Sequence, residues 1–80
     1  QMPSSLHTER YDHFRRLLIE KRKDAGLTQA TVAERLSKPQ SYVAKYDGGE
    51  RRVDFVEVVD IAEAVGFDPS ELLREFQNKS

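Results

Sequence analysis

The sequence predicts an all-α protein: five short helices around one core. Three observations lead there. Gly and Pro, with small polar residues beside them, cut the 80 residues into five segments. Within each segment apolar residues recur three or four apart, the period of a helix face, and none alternates with the period of a strand. The composition, 38% hydrophobic against 34% charged with four Phe, three Tyr and no Trp, suits one small core and is too apolar for a disordered chain. Eighty residues also leave no room for a two-domain enzyme. The expected organisation is a flexible segment over 1–7, a folded domain over 8–76 and a tail over 77–80.

The first helix is expected from Thr8 to Ala25. Phe14, Leu17, Leu18, the stem of Lys21 and Ala25 share one arc, with Tyr11 at its edge and Ile19 off it. Glu9 and Asp12 near its start, and Lys21, Arg22 and Lys23 before Gly26, suit the helix dipole at both ends. The second helix opens at Thr28, a good N-cap residue. It buries Val32, Ala33 and Leu36, and stops before Pro39. Proline fits the first position of a helix, where its missing N–H is not needed, so the third helix is expected from Pro39 to about Tyr46, ending at Asp47-Gly48-Gly49. Asp54 with Glu57, and Asp68 with Glu71, read as two variants of the capping box. They open a fourth helix with a stripe of Val58, Ile61, Ala62 and Val65, ended by Gly66, and a fifth that buries Leu72, Leu73 and Phe76.

The net charge of −1 conceals an asymmetry. Residues 1–52 carry eleven Lys and Arg against seven Asp and Glu, a balance of +4, whereas residues 53–80 carry two against seven, a balance of −5. Solvated helix faces and a polyanion partner both give such a pattern. The sequence has no cysteine, no apolar run near the roughly 18–20 residues of a membrane span and no secretory leader pattern at its start. A cytoplasmic protein is expected. His7 and His13 do not share a helix face, and neither a nucleophile constellation nor a glycine-rich loop after a strand is present, so no metal, cofactor or enzymatic activity is expected.

Two short helices joined by so brief a turn cross steeply, as in a helix-turn-helix. The stretch from Leu27-Thr28-Gln29-Ala30-Thr31-Val32-Ala33-Glu34-Arg35-Leu36 through Tyr46-Asp47-Gly48-Gly49-Glu50-Arg51-Arg52 resembles the phage-repressor and Cro-like (xenobiotic-response-element) helix-turn-helix family. The likeness continues through Ile61-Ala62-Glu63-Ala64-Val65-Gly66-Phe67 to Glu71-Leu72-Leu73. It implies a lambda-repressor-like five-helix domain whose second and third helices form the motif. Ser37 replaces the small residue, usually Gly, of the turn, and Asp47-Gly48-Gly49-Glu50 replaces a Glu-x-Gly-Glu pattern. The implied function is a sequence-specific transcriptional regulator, expected to be a repressor that binds an operator in double-stranded DNA. The family's habit further implies a homodimer on two half-sites. No separate effector-sensing or dimerisation domain is expected.

The residues of the third helix agree. With Gln40 at zero on a helical wheel, Ala44, Ser41 and Lys45 fall at about 40°, 100° and 140°, while Tyr46 and Val43 fall at about 240° and 300°. Gln40, Ser41, Ala44 and Lys45 are therefore the candidates for base contact. Gln pairs with adenine in two-fold fashion, and Lys donates to guanine. Phosphate candidates are Thr28, Gln29, Lys38, Tyr42, Arg51 and Arg52. The resemblance implies that Gln29 touches a phosphate and braces Gln40; Tyr42, at about 200°, sits between groove and core. Ile19, Val56 and Phe76 are apolar candidates for a dimer contact. A rival reading from another class is an antitoxin: the same fold binding and silencing a basic protein toxin through its acidic fourth and fifth helices.

Overall fold

The computed structural model describes residues 8–79, so the expected flexible segment over 1–7 lies outside the described residues. It contains α1 (Glu9–Asp24), α2 (Gln29–Leu36), α3 (Gln40–Asp47), α4 (Phe55–Val65) and α5 (Pro69–Lys79), and no strand among those residues. None of the helices is long and apolar enough to cross a membrane.

Local hydrogen bonding sets the helix starts. Thr8 caps α1 by accepting the Tyr11 N–H at 3.0 Å, and Thr28 caps α2 by accepting the Thr31 N–H at 3.1 Å. At α4 the box is reciprocal: Asp54 accepts the Glu57 N–H and Glu57 accepts the Asp54 N–H, both at 2.8 Å. Each such cap satisfies amides that the first helical turn leaves open. The start of α5 differs from expectation. Asp68 accepts from Ser70 at 2.9 Å, while the Glu71 carboxylate lies 3.8 Å from Lys21, on α1. Lys21 also donates to Glu75 at 3.0 Å, so the acid of the expected box serves instead to dock α5 on α1.

The core draws on every helix: Leu17 and Leu18 from α1, Val32 and Ala33 from α2, Val43 and Tyr46 from α3, Ile61, Ala62 and Val65 from α4, and Leu72 from α5. Phe14, Leu36, Val58 and Phe76 pack against it, partly buried. Two expected core residues lie outside. Ala25 is exposed, because the chain leaves α1 at Asp24 and Gly26 turns it away at φ +72°. Leu73 is 57% exposed, because Leu72 and Phe76 face α1 and Leu73 lies about 100° from Leu72 around α5. α5 continues past Phe76, so residues 77–79 of the expected tail belong to its last turn.

The turn between α2 and α3 orients everything that follows. Lys38 N–H bonds to the Ala33 carbonyl at 2.9 Å and Ser37 N–H to that of Glu34 at 3.0 Å, the paired bonds of a Schellman ending. That geometry needs a left-handed residue, and Ser37 supplies it at φ 58° and ψ 42°. Pro39 is not the first residue of α3, as expected, but its N-cap, extended at ψ 156°. Its rigid ring keeps the chain extended between the two helices, and its carbonyl accepts the Tyr42 N–H at 3.0 Å to start α3. A left-handed non-glycine residue costs roughly 1–2 kcal/mol, part of which glycine returns as unfolded-chain entropy. Ser37→Gly should therefore stabilise the protein by about 0.5–1 kcal/mol in urea unfolding, and Ser37→Val should destabilise it.

Candidate nucleic-acid interface

α3 has two unlike sides. Val43 and Tyr46 are buried, at 0% and 3% exposure, and seal the helix against the core. Gln40, Ser41, Ala44 and Lys45 are all exposed and share the opposite arc. Among the described residues no polar side chain draws them back to the protein, and this face is one that a groove can receive.

What holds α3 at that angle is a buried acid. Asp47, its last residue, is 7% exposed. Its carboxylate receives Arg22 Nη2, from α1, at 2.8 Å and Gln29 Nε2, from the start of α2, at 3.0 Å. Arg15, two turns before Arg22, donates Nη1 to the Asp47 carbonyl at 2.5 Å. Arg22 also donates to the Leu27 carbonyl at 3.1 Å. Three helices thus meet on one residue. The following Gly49 is buried at φ +82°, and a Cβ there would lie 3.4 Å from Arg15 Nε, so a side chain would meet both backbone strain and this network. Burial pushes the Tyr46 phenol above its ordinary range, with the negative charge of Asp47 adding to the effect, so it stays neutral in the core.

The flank of α3 carries a second group. Tyr42 is half-buried and donates its hydroxyl to Glu57 Oε2 at 2.8 Å. Arg51 pairs with the same oxygen at 2.8 Å and stacks over the Tyr42 ring at 4.9 Å, while Lys38 lies over that ring at 5.3 Å. Arg52 is exposed and packs over Tyr11 at 4.1 Å. Burial, then the bond to Glu57, raises the Tyr42 phenol to about 12. The Arg51 bond, aided by the Asp54 N–H and the Tyr42 hydroxyl, holds the Glu57 carboxyl down to about 2.

The sequence-predicted residues therefore divide. Gln40, Ser41, Ala44 and Lys45 come together on one exposed arc; Lys38, Tyr42 and Arg51 line its flank, and Arg52 lies just beyond Arg51 in the loop. Thr28 is exposed but committed to its cap. Gln29 does not brace Gln40: its amide is turned to Asp47, because a buried carboxylate is the stronger acceptor. Of the apolar candidates, Val56 is 66% exposed beside Phe55 at 79%. Ile19 is half-buried, and Phe76 stacks on His13 and meets Phe14 edge-on within its own chain. Roles that sequence reasoning passed over are those of Arg15, Arg22 and Asp47 in this network, the second role of Glu57, and the exposure of Phe55, while Leu73 was expected in the core. Arg15 and Arg22 did carry a signal, since seven residues bring a helix back to one face.

Comparison with known proteins agrees with this geometry. Residues 13–75 match the family described as a helix-turn-helix domain. An XRE-family like protein from Pseudomonas syringae pv. tomato is 41% identical over 89% of this chain and 87% of its own, with a TM-score of 0.85. The restriction-modification controller protein C.AhdI from Aeromonas hydrophila is 34% identical over 78% of this chain and 94% of its own, at TM-score 0.69. The clp gene regulator ClgR from C. glutamicum shares the fold at TM-score 0.78 and 19% identity, covering 91% of this chain and 95% of its own. Among curated proteins no match was found. The chain belongs to the XRE/Cro-like helix-turn-helix family, a family of DNA-binding regulators.

The flank makes acid stability partly a property of Glu57. Its folded-state carboxyl is depressed to about 2 from an ordinary 4.5, so its stabilising effect is complete above about pH 4.5 and is lost as pH falls toward 2. In an acid titration followed by circular dichroism, Glu57→Gln should flatten the dependence of stability on pH across that window and leave its shape above pH 5 unchanged.

Proposed function

We propose that the protein is a transcriptional regulator, acting as a repressor in the cytoplasm, that binds operator DNA as a homodimer with α3 in the major groove. The observation that carries this reading is the exposed arc of Gln40, Ser41, Ala44 and Lys45 on a helix whose other side is locked into the core. Gln40 and Lys45 suit base edges, and the small Ser41 and Ala44 allow close approach. Lys38, Arg51 and Arg52, in the half of the chain that carries +4, are the backbone-facing cations. The 34% identity to a protein described as a restriction-modification controller supports a regulatory role.

One such helix reads a few base pairs, and two copies on half-sites about 10 bp apart would double the reading. An apolar patch supports the second copy. Phe55 at 79% and Leu73 at 57% exposure line a groove together with Val58, Pro69, Leu72 and Phe76, and Val56, next to Phe55 in the chain, is 66% exposed. A ridge and a groove on one face are what a two-fold contact needs, since each copy offers both parts to the other. Of the three candidates first read from sequence, Phe76 lines this groove and Val56 is exposed at 66% beside Phe55.

Competition between operator and random duplex tests the reading. Lys45→Ala should relax preference at one operator position, a loss of roughly 1–3 kcal/mol in discrimination, while binding to random duplex barely changes. Arg52→Ala should weaken both alike and reduce the salt slope by about one. If Gln40, Ser41 and Lys45 substitutions all leave the preferred site unaltered, α3 is not the reading element. The antitoxin reading, with the acidic half and the apolar patch seated on a basic protein, then takes its place.

A further inference from the structure

The flank of α3 holds a carboxylate where DNA-binding surfaces want none. Glu57 gathers three donors: the Tyr42 hydroxyl and Arg51 Nη2 on Oε2, and the Asp54 N–H on Oε1, each at 2.8 Å. Two of these donors, Tyr42 and Arg51, belong to the row that borders the exposed arc of α3, and Lys38 extends that row over the Tyr42 ring. An oxyanion receiving an arginine, a phenol and a backbone amide is bound as a phosphate oxygen would be. We infer that Glu57 is an internal stand-in for a DNA phosphate: it occupies Arg51 in the free protein and limits how strongly the α3 flank grips the backbone.

The inference rests on the reading of α3 as a DNA-contacting helix, and it assigns Glu57 a positioning role within it. For Arg51 to meet a phosphate it must open or share its pair with Glu57, and the carboxylate left behind repels the same phosphate. The exchange is physically accessible. Arg51 and Glu57 retain 42% and 22% of their side-chain exposure, so water and a phosphate can reach the pair. Asp54 adds a second negative charge nearby, but its carboxylate is spent on the Glu57 N–H. The depressed Glu57 carboxyl means that this restraint stays charged throughout the neutral range. Specificity gains from it: a regulator that grips every backbone weakly relies more on the base contacts of α3.

Glu57→Gln tests the inference, since glutamine keeps an oxygen for the Asp54 N–H and removes the charge. A counterion term of about 0.9 per phosphate amounts to roughly fivefold in affinity at about 0.15 M salt. Glu57→Gln should therefore tighten binding to operator and random duplex alike by about fivefold and steepen the salt slope by about one. Adding Arg51→Ala to that variant should return the salt slope to that of the unaltered protein, because the freed charge is then gone. A folded Glu57→Gln protein, verified by its melting curve, that binds with unchanged slope and affinity would overturn the inference and leave Glu57 a cap residue. Should the variant lose its fold, the arginine side-chain resonances of the unaltered protein carry the test. Arg51 signals must shift when duplex is added, and static signals would overturn it equally. If the unaltered protein binds no duplex even at low salt, the reading of α3 itself fails, which is a separate outcome.

Discussion

A carboxylate removed from water at the C-terminal end of a short helix governs this structure. Asp47 carries the wrong sign for its position, since the last turn of a helix is already negative. It is tolerated only because Arg22 and Gln29 donate to its carboxylate, while Arg15 takes the adjacent carbonyl that α3 leaves open. Breaking a buried pair by removing one partner typically costs about 3–5 kcal/mol, because the remaining charge stays stranded. In a domain of 80 residues that is a large part of the total stability. The pair is directional as well as strong. Apolar packing tolerates small rotations of α3, whereas a bond from α1 and a bond from α2 converging on one carboxylate do not.

The consequence reaches the outer face. With Val43 and Tyr46 packed inward and Asp47 tied at the end, the positions of Gln40, Ser41, Ala44 and Lys45 follow from helical geometry alone. The start of α3 is fixed independently by the left-handed Ser37 and the extended Pro39. One end of the helix is thus set by backbone conformation and the other by a charge, which leaves its side chains free for a partner. The loop beyond Gly49 then brings Arg51 back onto Tyr42 and Glu57, joining the flank of α3 to the first turn of α4.

Most of the architecture was legible in the sequence because its signals are local. Thr8, Thr28 and the Asp54–Glu57 box bond three residues along the chain, so the residues that make each cap stand beside the helix that it opens. The two-sidedness of α3 was legible for the same reason, as a period within eight residues. The failures share the opposite cause. Glu71 was read as a cap partner and docks on Lys21 instead, fifty residues away in sequence. Gln29 was assigned to Gln40, but the buried Asp47 claims it. Leu73 satisfied an apolar spacing without being covered, since the face of α5 that is covered depends on where α1 lies. The role of Asp47 could not be read from its neighbours, because its three donors come from α1 and α2.

A double-mutant cycle on Arg22 and Asp47, read in both urea unfolding and operator affinity, bears most directly on whether this ion pair places α3 for the DNA reading proposed for it. Arg22→Met and Asp47→Asn, singly and together, should show a coupling of about 1–3 kcal/mol in stability, and each single variant should lose operator preference along with it. Additive stabilities, with operator preference intact in every folded variant, would mean that apolar packing alone sets the angle of α3 and that the buried pair is incidental to recognition.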